Sequence, residues 1–180
     1  MHVRRGDACE RWASAGDGST VTGRPCFPLA AYVYAARELK ARYGARRILL
    51  ATDSTEVTHQ LRRQLLCTGC EEFEWVFLDF DRTAVGGGDD VAAAGPPASA
   101  GAAGERWHNF IEFRKGVDYE LAFTSYRAER MLLRDADFFV GTSVAVVSRL
   151  ILLGLTGRAG HVPPFILLDQ PFGGAFAVKA

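Results

Sequence analysis

The chain alternates helical stretches with short, continuously apolar runs, and that alternation restricts its fold more than any other feature. The clearest run is Arg46–Ala51, RRILLA, bounded by charge on one side and by Thr52-Asp53-Ser54 on the other. Apolar residues at consecutive positions leave no solvent face, so the run reads as a parallel strand covered above and below. A helix over Pro28–Tyr43 precedes it. Leu29, Val33, Ala36 and Leu39 recur there at helical spacing, Pro28 suits a first turn, and Gly44 follows as a stop. Downstream, Ser54 is a candidate cap for a helix with Val57, Leu61 and Leu65 on one face. The pattern continues with a strand over Glu74–Phe80, a helix from Asp118 or Tyr119 to Leu133 and a strand over Phe138–Val140. A helix over Thr142–Leu155 and a strand over Phe165–Leu168 complete it. Val3–Arg5 reads as the end of a strand, and Ala13–Arg24 as a loop. Helices between short apolar strands predict an α/β fold, a three-layer parallel sheet with helices on both faces.

A length of 180 residues allows one domain, 1–180, with a genuine core. Formal net charge is zero, which argues against a nucleic-acid partner and against a polybasic membrane role. The basic residues are 18 arginines and 3 lysines, a skew for which biased base composition is one explanation. No run reaches the ~20 apolar residues of a membrane-spanning helix. The segment Val144–Leu155 is too short and carries Arg149. No targeting signal is visible in the chain. Residues 83–105 are rich in Gly and Ala with Pro96 and Pro97, too poor in large apolar groups to offset ordering entropy, and read as a disordered insertion. Cys9 and Cys26 flank a Gly/Ser/Thr-rich stretch and are candidates for a disulfide in an oxidising compartment. Cys67 and Cys70 form a CxxC at a turn after a helix, without the second pair that a zinc knuckle needs.

In parallel α/β sheets, ligands bind beyond the C-terminal strand ends. Arg4, Asp53, Thr142 and Asp169 each follow a predicted strand. Arg4 and Arg5 offer rigid donor forks suited to a diphosphate; the plain alternative is surface arginines or an ion pair with Asp7. Gly141-Thr142-Ser143 is placed to open a helix after a strand, where free amides and the positive helix end attract anions; an ordinary cap is the alternative. Arg149 lies on the following helix. Glu129 sits on the preceding one, as a guanine-facing carboxylate or as a solvated side chain. Asp79-Phe80-Asp81 matches a DxD metal pattern, which is more often just solvated. Arg5-Gly6-Asp7 spells an integrin-recognition tripeptide, but its arginine leaves a buried strand. His59 and His108 lack partners at ligand spacing.

Three motifs occur in order: His2-Val3-Arg4-Arg5-Gly6-Asp7, then Leu49-Leu50-Ala51-Thr52-Asp53-Ser54, then Ala136-Asp137-Phe138-Phe139-Val140-Gly141-Thr142 with Ser148-Arg149. Together they resemble the α1,6-fucosyltransferase and protein O-fucosyltransferase superfamily, and more closely the core-type (GT23-like) α1,6-fucosyltransferases. The resemblance implies a GT-B architecture of two Rossmann-like halves, of which this chain matches the C-terminal, GDP-fucose-binding half. It also implies that the chain is truncated at its N-terminus, with a membrane anchor upstream and a Golgi or ER lumen location. By motif, Arg4 would bind the β-phosphate and assist departure of GDP. His2 and Glu129 would face guanine. Arg5, Asp7, Asp53, Thr142, Ser143 and Arg149 would complete the donor site, with Val144 in the phosphate-proximal turn. The reaction would be an inverting transfer of fucose to a glycan or protein acceptor, with no metal cofactor. The chain departs from the family after Asp7: Ala8 stands where the enzymes carry Lys, and Trp12 stands near the position of a Glu thought to act as base, with Glu10 displaced. A non-catalytic nucleotide-sugar-binding domain is the alternative.

Overall fold

The computed structural model describes residues 1–5, 26–62, 72–80 and 118–170. The predicted insertion at 83–105, Asp7, Cys9, Cys67, Cys70, the second aspartate of the DxD pattern and the departures at Ala8, Glu10 and Trp12 lie outside them, as does His108. Five short strands and four helices occur among the described residues, in the order β1 (His2–Val3), α1 (Leu29–Tyr43), β2 (Arg47–Thr52), α2 (Thr55–Arg62), β3 (Glu74–Phe77), α3 (Tyr119–Leu133), β4 (Phe139–Gly141), α4 (Val146–Ala159) and β5 (Phe165–Leu167). The fold is α/β with small parallel sheets. β1, β2 and β3 form one, with β2 in the middle, and β4 pairs with β5 in a second. β1 and β4 run close to each other without being assigned to one sheet.

Local chemistry accounts for most boundaries. Pro28 stands at the extended N-cap of α1, and Gly44 ends that helix in the left-handed region at φ 75°, donating its N–H to the Lys40 carbonyl. A residue with a Cβ is strained there, so glycine is the natural stop. The Ser54 hydroxyl accepts from the Val57 amide and starts α2. The Asp118 carboxylate accepts from the Leu121 amide and starts α3. Three expectations are corrected. β1 covers His2–Val3, so Arg4 and Arg5 lie beyond its end rather than within it. β3 stops at Phe77, short of Phe80. α4 begins at Val146 rather than Thr142.

The strands send alternate residues to opposite faces, as a period of two requires. Ile48 and Leu50 of β2 join Val3, Val140 and the α1 residues Tyr32, Val33, Ala36 and Leu39 in one core. Leu49 and Ala51 join Phe139, Leu133 of α3 and Ile151 and Leu155 of α4 in the other. Helices therefore cover both sides of the strands, which explains why RRILLA has no polar alternation.

Gly141 ends β4 where space is shortest. A Cβ there would stand 2.7 Å from the Phe139 ring and 2.8 Å from the Ser148 hydroxyl oxygen. Both neighbours are fully buried, so one of them must shift within the packed interior. Gly141→Ala is expected to cost about 1–3 kcal/mol through overpacking. A lowered urea midpoint at unchanged slope would show it; an unchanged midpoint would mean that the ring moves freely.

Candidate functional site

The ends of β1, β2, β4 and β5 converge on one polar cluster. Register sets its first half: Val3 pairs with Thr52, so the chain leaves β1 beside Asp53. The Arg5 amide donates to Asp53 Oδ1 at 2.8 Å, and Arg4 Nε stands 3.3 Å from Asp53 Oδ2. One carboxylate thus fixes both the backbone and the guanidinium of the arginine pair. Asp53 acts on this cluster as an anchor for Arg4. The Arg4 side chain is 31% exposed, so solvent reaches the guanidinium from the sheet edge.

The second half follows β4 and β5. Asp169, just past β5, accepts from the Ser143 amide at 2.6 Å, the Ser143 hydroxyl at 2.9 Å and the Val144 amide at 2.8 Å. Gln170 donates to the same hydroxyl at 2.8 Å. These amides are the ones expected to open α4 and receive a phosphate. Instead they form a separate turn closed on the protein's own carboxylate. α4 starts beyond it, at an Ala145 N-cap with no side-chain cap bond. This is the physical reason for the shifted helix start: a charged acceptor satisfies two amides that would otherwise need a helix-terminal partner.

His2 and Ser148 join the halves. His2 Nδ1 lies 2.7 Å from the Ser148 hydroxyl, which in turn accepts from the buried Thr142 amide at 3.4 Å. His2 is only 5% exposed. Burial first, then the positive charges of Arg4 and the N-terminus, push its pKa down to about 3. The folded protein therefore holds a neutral imidazole, while the unfolded chain takes up a proton near the ordinary value of 6.5. A base with a depressed folded pKa contributes stability above its unfolded pKa, and that stability is lost as pH falls towards the folded one. The His2 contribution to the unfolding free energy is expected to drop by about 1.6 kcal/mol between pH 6.5 and 5, at a slope that approaches about 1.4 kcal/mol per unit. Urea titrations of the wild type and His2→Gln at both pH values test this. An equal pH dependence in the two proteins would refute it.

Tyr32 of α1 lies beneath the cluster, wholly buried. Its hydroxyl is near the Arg4 backbone but meets no partner at hydrogen-bond geometry among the described residues. Burial pushes its pKa well above the ordinary phenol value, and the Asp53 and Asp169 charges act in the same direction. A buried hydroxyl of this kind is costly unless something satisfies it. Nothing in the sequence separated Tyr32 from the other apolar-face residues of α1. Asp169 was recognisable only by its place after a strand.

The remaining expected residues lie apart from this cluster or reach it less directly. Glu129 shares a face of α3 with the buried Ser125 and Leu133, and α3 packs along β2. The residue is half-buried. Arg149 is exposed on α4 and pairs with no member of the cluster among the described residues. Asp79 is exposed and ion-paired with Arg62, which occupies the first carboxylate of the DxD pattern. Among the described residues no three His, Cys, Asp or Glu side chains gather at metal-binding distance. His59 is exposed on α2. Cys26 is disulfide-bonded, and the expected partner Cys9 lies outside the described residues. Among the described residues no helix is long and apolar enough to cross a membrane. No protein-family model matches the chain, and no curated protein matches it significantly.

Proposed function

We propose that this chain is the donor-binding half of a GT-B glycosyltransferase of the fucosyltransferase type, and that it binds GDP-fucose at the Arg4–Asp53–Ser143 edge. The observation that carries the reading is the Asp53 carboxylate, which holds the Arg5 amide and the Arg4 guanidinium together at the end of β1. A Rossmann-like sheet of order β3-β2-β1-β4-β5 is the architecture proposed for the whole. The proximity of β1 to β4 supports it, since the order reverses there and ligands of such sheets bind at that point. The orphan Tyr32 hydroxyl is a further group that a bound ligand or water would satisfy.

In the proposed reaction an acceptor hydroxyl attacks fucose C1 from the face opposite the diphosphate. The C1–O bond to GDP breaks, and the hydroxyl proton passes to a base that lies outside the described residues. Arg4 stabilises the charge that develops on the departing diphosphate, a role that a metal fills in other transferases. The disulfide at Cys26 fits an oxidising compartment such as the Golgi or ER lumen.

A second reading, a nucleotide-sugar-binding domain without transferase activity, is favoured by one observation. Asp169 already sits on the Ser143 and Val144 amides, where a phosphate would otherwise bind. Calorimetry with GDP tests the common premise. A folded sample with no GDP affinity would sink both readings, while GDP binding without release of fucose from labelled GDP-fucose would favour the second.

A further inference from the structure

α4 is apolar around most of its circumference, with Arg149 and Arg158 its only charged residues. Helices of that composition are normally covered on all sides. Yet α4 buries only Ser148, Ile151 and Leu155. A second stripe, Val146–Leu150–Leu153–Gly157, follows the alternating four- and three-residue spacing of a helix-packing seam. Val146 is 58% exposed and Leu153 67% exposed. Gly157 carries no side chain and a Cβ there would meet nothing within 4 Å, which lets another backbone approach closely.

Both flanks of this stripe are cationic. On one side Arg127, Arg130 and Arg134 of α3 line a cleft of about 200 Å³ whose apolar wall includes Leu150, Ile151 and Gly154. Arg127 and Arg130 lie over the rings of Phe123 and Tyr126, which steadies their stems without neutralising them. On the other side, at ~100° per residue around the helix axis, stands Arg149. None of these four side chains has an acidic partner among the described residues.

We propose that the α3–α4 face docks an amphipathic helix of another protein, with its apolar ridge along Val146–Gly157 and its acidic flanks against Arg127, Arg130, Arg134 and Arg149. Helix-in-groove recognition needs this combination of a seam and a charged rim. Charge complementarity selects the occupant. A second copy of the chain would bring cationic flanks onto cationic flanks in either orientation, a repulsive arrangement. The inference does not depend on the donor-site reading.

The test is fluorescence anisotropy with a labelled synthetic helix that carries leucine along one seam and glutamate on both flanks. Gly157→Glu is the first variant, because nothing lies within 4 Å of a Cβ at that position. Its thermal midpoint is expected to be unchanged or raised, since glycine is a poor helix former. Gly157→Glu and the pair Arg127→Glu/Arg130→Glu are each expected to weaken binding at least about 10-fold, and a lysine-flanked version of the peptide is expected not to bind. Equal binding of the two peptides, or binding indifferent to both variants, would overturn the proposal. So would a dimer in sedimentation that Gly157→Glu dissociates, or attachment of the protein to anionic vesicles through this face.

Discussion

Arg4→Ala is expected to leave the protein folded and to lower its affinity for GDP by about 30-fold or more, with a larger loss in any transfer. The two effects separate because Arg4 has two different roles. Its ion pair with Asp53 involves side chains 31% and 26% exposed, where solvent screening holds the contribution to about 0–1 kcal/mol. A charge-assisted bond from a guanidinium to a phosphate contributes roughly 1.5–3 kcal/mol, and loss of a donor aimed at charge that develops in the transition state costs more, about 10²–10³ in rate. Arg4→Lys is not expected to rescue, because an ammonium cannot reproduce the planar fork that Asp53 orients. Asp53→Asn serves as the companion. It keeps an acceptor for the Arg5 amide but removes the charge that holds the Arg4 fork, so GDP affinity is expected to fall by less than in Arg4→Ala. Titration calorimetry reads all three, with urea denaturation as the control for folding. Undiminished GDP binding by Arg4→Ala would remove the residue from the donor site.

Asp169→Ala is expected to have the largest effect on stability of any single change to a polar side chain in the cluster. The carboxylate accepts from two amides and a hydroxyl, and it closes the connection between β4 and α4. Hydrogen bonds to a charged group contribute roughly 1.5–3 kcal/mol each, but the Val144 amide is exposed and regains water, so the expected loss is about 2–4 kcal/mol. Asp169→Asn is expected to cost less, since one oxygen can still accept while its amide group faces a donor. The alanine variant also releases an oriented pair of amides with an affinity for anions. Sulfate or phosphate is therefore expected to raise its thermal midpoint more than that of the wild type. Equal salt responses in the two proteins would mean that the turn collapses when the carboxylate is removed.

The parts of the protein that could be read from sequence are those decided over a few residues. Pro28 and Gly44 bracket α1, Asp118 starts α3, and the unbroken apolar run at Arg46–Ala51 requires cover on both faces; in each case the determining contact lies within one turn or one strand. The convergence of Arg4 and Asp53 on one edge was also legible, because parallel strands bring their C-terminal ends to the same side. The start of α4 was not. Thr142 and Ser143 carry the side chains of good caps, and only Asp169, 26 residues later, diverts the Ser143 and Val144 amides from the helix.

By itself, then, the sequence determined the α/β class, the succession of elements and the edge on which the arginines stand, because periodicity and capping act locally. Tertiary structure alone decided the pairings. Asp53 clamps the Arg5 amide across 48 residues and the Arg4 guanidinium with it, His2 meets Ser148 across 146, and Tyr32 is left with an unmatched hydroxyl beneath them. A side chain's partner depends on strand register and on which face of the sheet a helix covers. Those follow from burial of the two apolar cores, a property of the folded chain as a whole.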